Sequence, residues 1–225
     1  FLRRRIFTTD DRALDMLYLY LGLAAVVLGT LLSLVIRIHR VWPAVPFPLY
    51  GALRPEDYLA VVTMHGTLMI FFVLTVIPQS AFPNLVLAEQ IGAVRMALPR
   101  VNAAAFWITL ASFLALTAAF FVPQGAPISG WTSYPPFSAL AAAGPGQGAG
   151  MDCWLLSVAL FCIAAVASSA NFLATIFLRR GPGMSFGRLP LTVWSWLTSS
   201  ALTVVAFTPH FAAALMLFAD RHFAT

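Results

Sequence analysis

The sequence predicts an all-α integral membrane protein, a bundle of five transmembrane helices. Hydrophobic residues make up 60% of the 225 residues and charged residues only 9%, a composition that soluble domains of this size do not have. The apolar residues fall into five runs, each near or above the roughly 20 residues that a helix needs to cross a bilayer. The sequence therefore predicts a single membrane domain over residues 1–225.

Charged, proline-rich or glycine-rich segments separate the five runs. A polar N-terminal arm over residues 1–15 precedes the first run. Pro78 and Pro83 are expected to bend or break the chain after the second run, because proline removes a helix hydrogen bond. The uncharged segment from Pro123 to Gly150 is rich in Gly, Pro, Ala and Ser, which indicates a loop packed on the bundle or on another subunit. The predicted spans are approximately residues 16–36, 58–77, 101–122, 153–178 and 189–219.

The charges indicate how the chain is oriented. All 13 Lys+Arg residues are arginines, and they lie at the ends of the apolar runs without forming a patch, which argues against nucleic-acid binding. With five spans, nine arginines fall on the side of the N-terminal arm and four on the other side. Because positively charged loops stay inside, the N-terminus is predicted to be cytoplasmic.

One histidine lies inside the second apolar run. His65 is about two helical turns from the polar end of that run, and an ionisable group at membrane depth is costly without a partner. Imidazole is also a common ligand of haem iron. Tyr58 and Met69 share the helix face of His65. His65 is therefore either a haem ligand or a hydrogen-bonded core histidine.

Other residues at the outer ends of the spans could accompany such a ligand. Arg37 closes the first span, and Trp131 and Tyr134 lie in the predicted loop on the same side. An arginine and hydrogen-bonding aromatic residues at the depth of a histidine would suit the acidic substituents of a haem. The alternatives are a helix-end arginine that extends to the interface and a tryptophan of the interfacial belt.

Six motifs occur in the order found in one known family. They are SLVIR (33–37), MHGTLMIFF (64–72) with FPN (82–84), IGAVRMALPRVN (91–102), GWTSYPPF (130–137), RGPGMSFGRLPLTVWSW (180–196) and MLFADRHFAT (216–225). Together they resemble the N-terminal half of subunit I of the haem–copper terminal oxidases of the cytochrome c oxidase type. The resemblance covers the whole chain and implies the first five of the family's twelve helices.

The resemblance implies a low-spin haem, of the haem a type, with His65 as one of its two axial ligands. It implies haem contacts for Arg37, Ser33 and Tyr58, and a place near the propionates for Trp131 and Tyr134. The position of Met69, one turn beyond His65 on the same helix face, would let it pack on such a ring. The second axial ligand, the high-spin haem ligand and the copper ligands belong to later helices of the family. Copper is thus expected only in the missing part or in a partner chain.

The resemblance also implies remnants of a proton path. Asn84, Asn102 and Asn171 match asparagines of the family's inner path, but Arg95 stands where that path begins with an aspartate. A guanidinium stays charged at working pH and repels protons, so no proton path is expected to begin at position 95. Two interpretations remain open, namely loss of proton uptake and uptake by another route.

Two functions follow from this comparison. In the first, the chain is part of subunit I of a respiratory oxidase that transfers electrons from cytochrome c or quinol to oxygen. Its partners are then other oxidase subunits, including a chain with the remaining helices, together with membrane lipid and the electron donor. It is an enzyme only as part of that complex. In the second, it is a degenerate half-subunit with a structural role. An unrelated transporter or channel would not carry the six motifs.

Overall fold

Five long helical segments make up most of the described chain. The computed structural model describes residues 8–44, 46–47 and 51–223, which contain no β-strand beyond an isolated bridge between Phe47 and Gly51. Five segments are long and apolar enough to span a membrane, which confirms the predicted fold class and number of spans. The α-helices are α1 (Asp11–Val41), α2 (Pro55–Thr67), α3 (Phe82–Gln90), α4 (Pro99–Ala118), α5 (Ala149–Leu178) and α6 (Leu191–Phe223).

The second segment, which contains α2 and α3, continues through its prolines. It extends over Pro55–Gln90, whereas the sequence predicted a span that ends near residue 77 and a bend at Pro78 and Pro83. Two π-helical stretches, Leu68–Val73 and Ile77–Ala81, widen the helix in this region. Wider turns and neighbouring donors allow membrane helices to accommodate proline.

A distant tryptophan satisfies one backbone group that the π-helix releases. The N–H of Phe82 donates to the carbonyl of Ile77, five residues back. The indole of Trp196 donates to the carbonyl of Pro78 at 3.0 Å. The helix therefore passes Pro78 without leaving this carbonyl unpaired.

Several helix ends also differ from the predicted ones. Helix α1 begins at Asp11, so Asp15 belongs to the helix and not to the polar arm; the predicted arginines of residues 3–5 lie outside the described residues. His39 and His222 lie in the last turns of α1 and α6, where basic residues are favoured by the helix dipole. The bounds of α4, α5 and α6 lie within four residues of those predicted.

Contacts between residues divide the chain into two compact units. One, called here the asparagine unit, comprises the described residues up to Gly22 with Leu74–Ala111 and Leu160–Ala212. The other, called here the histidine unit, comprises Leu23–Val73, Ser112–Ala159 and the described residues from Ala213 onward. The single membrane domain over the whole chain stays a prediction.

The asparagine unit has an apolar core with polar groups beside it. Tyr18 is fully buried, its ring meets that of Phe106 edge-on at 5.0 Å between centroids, and its hydroxyl lies 3.4 Å from Ser168 Oγ. Buried hydroxyls normally find such a partner. The core cluster consists of Leu87, Ile91, Met96, Phe172, Ile176, Leu189 and Val193.

In the histidine unit, Arg221 anchors the long loop between α4 and α5. Its side chain is 2% exposed, and its guanidinium pairs with Asp152 at 2.8 Å. It also donates to the backbone carbonyls of Ser138, Gln147 and Gly148 at 2.6–2.9 Å. One buried cation from α6 therefore holds an uncharged loop in place through main-chain oxygens.

Candidate functional site

His65 contacts α1 through a hydrogen bond to the backbone. Its Nδ1 lies 2.9 Å from the carbonyl oxygen of Gly29. A carbonyl oxygen can only accept, so Nδ1 carries the proton and Nε2 of the neutral ring keeps its lone pair. Nε2 has no hydrogen-bond partner among the described residues. A metal-binding histidine is typically fixed in this way, through its other nitrogen.

The absence of a side chain at Gly29 makes this contact close. A Cβ added to Gly29 would lie 2.7 Å from Met69 Sδ and 4.0 Å from His65 Nδ1. His65 and Met69 thus both lie against the same bare stretch of α1. The predicted pairing of these two residues on one face is therefore present in the structure.

Two further predicted residues follow Gly29 along α1. Ser33 and Arg37 stand four and eight positions later, which places all three on one helix face. Ser33 is half-buried and Arg37 is exposed. Arg37 forms no ion pair within the described residues, so its guanidinium can serve an acidic group bound beside this face.

Thr63 fixes the loop that carries Trp131 to α2. The backbone N–H of Gly130 donates to Thr63 Oγ1 at 2.9 Å, and the hydroxyl of Thr63 donates to the carbonyl of Leu59 at 2.8 Å. Trp131 then lies against Gly66, where an added Cβ would come within 3.2 Å of the indole. The structure therefore brings Trp131 to the residue that follows His65.

Tyr58 and Tyr134 are less directly connected to His65. The ring of Tyr58 packs on that of His39, with 5.2 Å between centroids. Tyr134 is 73% exposed and makes no side-chain hydrogen bond within the described part of the chain. The structure thus gives Tyr58 a histidine neighbour other than His65 and leaves Tyr134 at the surface.

Arg54 and Asp57 form a bidentate ion pair at the start of α2. Their side chains meet at 3.0 and 3.1 Å, and Asp57 also accepts from the backbone N–H of Arg54. The hydrogen bond to Asp57, followed by its negative charge, raises the pKa of Arg54. This pair closes the end of the helix without involving the candidate ligand.

The donor set around His65 fits one side of a haem iron. Within the histidine unit, His39 packs on Tyr58 and His222 lies 3.2 Å from an Asp152 carboxylate oxygen. Among the described residues no group of three or more His, Cys, Asp or Glu could hold a metal ion. If a haem bound here, His65 would hold its iron through Nε2, with the Met69 thioether and the exposed Arg37 guanidinium available to other parts of the group. A second axial ligand would come from residues beyond this set.

The three predicted asparagines lie in the asparagine unit, where two of them are in contact. The Asn102 amide donates to the Asn84 side-chain oxygen and, at 3.3 Å, to Asp11. Asn171 accepts from the backbone N–H of Leu98 at 2.8 Å, while the Asn102 N–H donates to the Leu98 carbonyl at 3.0 Å. All three side chains are at most 2% exposed. The structure thus joins Asn84 to Asn102 directly and Asn171 to Asn102 through one residue.

Sequence reasoning missed three residues of these two sites. Gly29 contributes a main-chain oxygen, which every residue has, so the residue type at this position does not indicate the contact. Thr63 could have been found as a polar residue two positions before His65 in an apolar run. Asp11 was assigned to the polar arm, although a carboxylate at the start of a helix is a common N-terminal signal.

Comparisons with known proteins agree on one family. Residues 13–225 match the family described as cytochrome C and quinol oxidase polypeptide I. The chain is 39% identical over 223 residues to the probable cytochrome c oxidase subunit 1-beta of Nocardia farcinica, covering 99% of this chain and 36% of that protein.

Two further relatives show the same coverage. The alternative cytochrome c oxidase subunit 1 of Bradyrhizobium diazoefficiens is 33% identical over 97% of this chain and 36% of that protein. The cytochrome c oxidase subunit 1 of Corynebacterium efficiens is 38% identical over 95% of this chain and 35% of that protein. The chain therefore spans about a third of the length of these relatives, consistent with the N-terminal part of the subunit.

Proposed function

The chain belongs to the cytochrome c and quinol oxidase polypeptide I family, and from this we propose that it supplies one axial ligand of a low-spin haem in a respiratory haem–copper oxidase. The haem, of the haem a type, supplies reversible one-electron transfer when bound. His65 provides Nε2 to the iron, while the Gly29 carbonyl holds Nδ1–H at 2.9 Å. That hydrogen bond is the observation that carries the proposal, because it leaves the correct nitrogen for a metal.

The remaining predicted residues surround the ring in this proposal. Met69, which lies with His65 against Gly29, would pack beside the bound haem. Polar substituents of the haem have partners on α1, α2 and the loop after Gly130; these are Ser33, Arg37, Tyr58, Trp131 and Tyr134.

The rest of the oxidase lies outside this chain in the proposal. The second axial ligand, the high-spin haem ligand and the copper ligands come from the remaining helices of subunit I, as parts of the same subunit or of a partner chain. Electrons come from cytochrome c or quinol and pass to oxygen. The complex lies in a respiratory membrane with the N-terminus of this chain in the cytoplasm, as the distribution of arginines predicts.

The proposal is tested by His65→Ala in the assembled membrane complex. We expect the low-spin haem band to disappear from the reduced-minus-oxidised spectrum, because no other described histidine of the histidine unit lies against Gly29. His222→Asn is the matched control, since this residue bonds to Asp152 instead, and its spectrum should equal that of the wild type. An unchanged low-spin band and haem content in His65→Ala would refute the assignment.

The alternative is a structural half-subunit without haem. The hydrogen bond between His65 Nδ1 and the Gly29 carbonyl also suits a core histidine that binds no metal. A wild-type complex that contains this chain but has no low-spin haem band would support this alternative.

A further inference from the structure

A charged cleft lies in the asparagine unit at the start of α1. It has a volume of about 510 Å³, and Asp10, Asp11, Glu89, Arg12 and Arg95 are among its lining residues. Arg12 and Glu89 pair at 2.5 Å across it. Three carboxylates and two guanidinium groups leave the cleft with one net negative charge. It therefore attracts protons even though Arg95 is present.

Asp11 connects this cleft to the buried asparagines. One carboxylate oxygen accepts from the backbone N–H of Met96 at 2.8 Å, and the other lies 3.3 Å from the Asn102 amide. Asn102 is fully buried and donates in turn to Asn84. Asp11 is thus a carboxylate in contact with both the cleft and the buried polar chain.

A second carboxylate follows one turn along α1. Asp15 is 3% exposed and lies roughly 6 Å further along the helix axis. It has no hydrogen bond or ion pair among the described residues. A carboxyl group that is so little exposed and has no protein partner needs water beside it, because burying it without any hydrogen bond is costly. Tyr18 is the next polar residue on this face of α1, so Asp11, Asp15 and Tyr18 form one line.

Unpaired polar atoms beside this line indicate bound water. Asn102 Oδ1 and Asn171 Nδ2 are buried and lack a hydrogen-bond partner in the part of the chain described. One is an acceptor and the other a donor, so water bound beside each atom would complete its hydrogen bonding. A cavity of about 10 Å³, near the size of one water, has Thr109 and Ser168 in its wall, and Ser168 Oγ lies 3.4 Å from the Tyr18 hydroxyl.

We propose that Asp11 and Asp15 form a proton relay that takes up protons at α1 in place of position 95. A hydronium ion in the cleft gives its proton to Asp11 and leaves as water. The proton then passes through bound water to Asp15, and Asp11 returns to its carboxylate form. Arg95 donates to the carbonyl of Thr9 at 3.3 Å. A guanidinium does not release its protons at working pH, so Arg95 takes no part in the transfer. The relay rests on the proposed oxidase function, because oxygen reduction consumes protons.

Infrared difference spectroscopy of the assembled complex tests the relay independently of turnover. The carboxyl absorption that is present in the wild type and missing in Asp15→Asn is assigned to Asp15. After transfer to D₂O, we expect this absorption to shift rapidly in the wild type and roughly tenfold or more slowly in Asp11→Asn. Glu56→Gln, a carboxyl-to-amide change at the start of α2, should leave the exchange rate unchanged. Equal exchange in Asp11→Asn and the wild type would overturn the relay.

Oxygen consumption separates this inference from the proposed function. Asp11→Asn and Asp15→Asn should each slow turnover by roughly tenfold or more, with haem spectra equal to that of the wild type. Full turnover in both variants would overturn the relay. A wild-type complex without a low-spin haem or oxygen reduction would instead count against the proposed function, and the infrared exchange would still decide whether the relay exists.

Discussion

At the scale of single residues, the position of His65 depends on a side chain that is absent. Gly29 exposes its carbonyl to the imidazole and leaves room for Met69, so three residues share a space that any Cβ at position 29 would enter. The clash would be with the thioether of Met69, at 2.7 Å, and not with backbone. A flexible side chain can move away, and its displacement would then reach the neighbouring imidazole.

Gly29→Ala should therefore weaken haem binding, and Met69→Ala should restore it. We expect the single variant to shift or reduce the low-spin band, because the displaced Met69 disturbs His65. The double variant Gly29→Ala/Met69→Ala removes the clash and should recover most of the band. Spectra and haem content of the assembled complex provide the measurement.

Gly187→Ala is the control for this pair of variants, since a Cβ at Gly187 meets nothing within 4 Å. Its spectrum should match that of the wild type. Equal spectra for Gly29→Ala and the wild type would show that this space is not needed for the haem.

At the scale of elements, the apolar runs predicted the five helices but not how they end. The continuation past Pro78 could not be predicted, because its compensating donor, Trp196, is 118 positions away in sequence. The contacts of Asp11 could not be predicted either, since Met96 and Asn102 follow it by 85 and 91 positions. The face shared by His65 and Met69 could be predicted, because helical spacing alone determines it.

Arg221 provides a prediction at this scale. Arg221→Lys should destabilise the complex by about 1–3 kcal/mol, because an ammonium keeps the charge beside Asp152 but cannot reproduce all the guanidinium bonds to three carbonyls, and a buried acceptor without a donor is costly. The loop over residues 123–148 should then become sensitive to protease. Thermal unfolding and limited proteolysis in detergent measure the two effects.

Arg188→Lys is the matched control, because this exposed arginine makes one described hydrogen bond, to the carbonyl of Gly183. It should change the unfolding free energy by less than about 0.5 kcal/mol. Equal melting and equal proteolysis for Arg221→Lys and Arg188→Lys would contradict the anchoring role.

At the scale of the whole molecule, much apolar surface is exposed. In the most apolar window of α6, 11% of the residues are buried, compared with 50% in α5. On α1, Leu23, Val27, Leu31 and Leu34 are each about half exposed. Lipid or other helices must cover such surfaces, and membrane helices pack on each other through close contact rather than through the hydrophobic effect.

The chain expressed alone should therefore be unstable in detergent, whereas expression with the remaining subunit I helices should stabilise it. Size-exclusion chromatography and thermal melting monitored by circular dichroism measure this difference. The helices of the chain alone should lack a cooperative transition. A monodisperse monomer with a cooperative melt would contradict the requirement for a partner.

The acceptor of the His65 proton also has a genetic consequence. Every amino acid at position 29 provides the same peptide oxygen, and that oxygen has lone pairs for both its own helix and an imidazole. No missense change can delete the acceptor; it can only push the imidazole away by adding bulk. A point mutation at position 29 therefore cannot change the tautomer of His65 by removing its acceptor. The size of the new side chain decides whether the hydrogen bond between His65 and this carbonyl is kept.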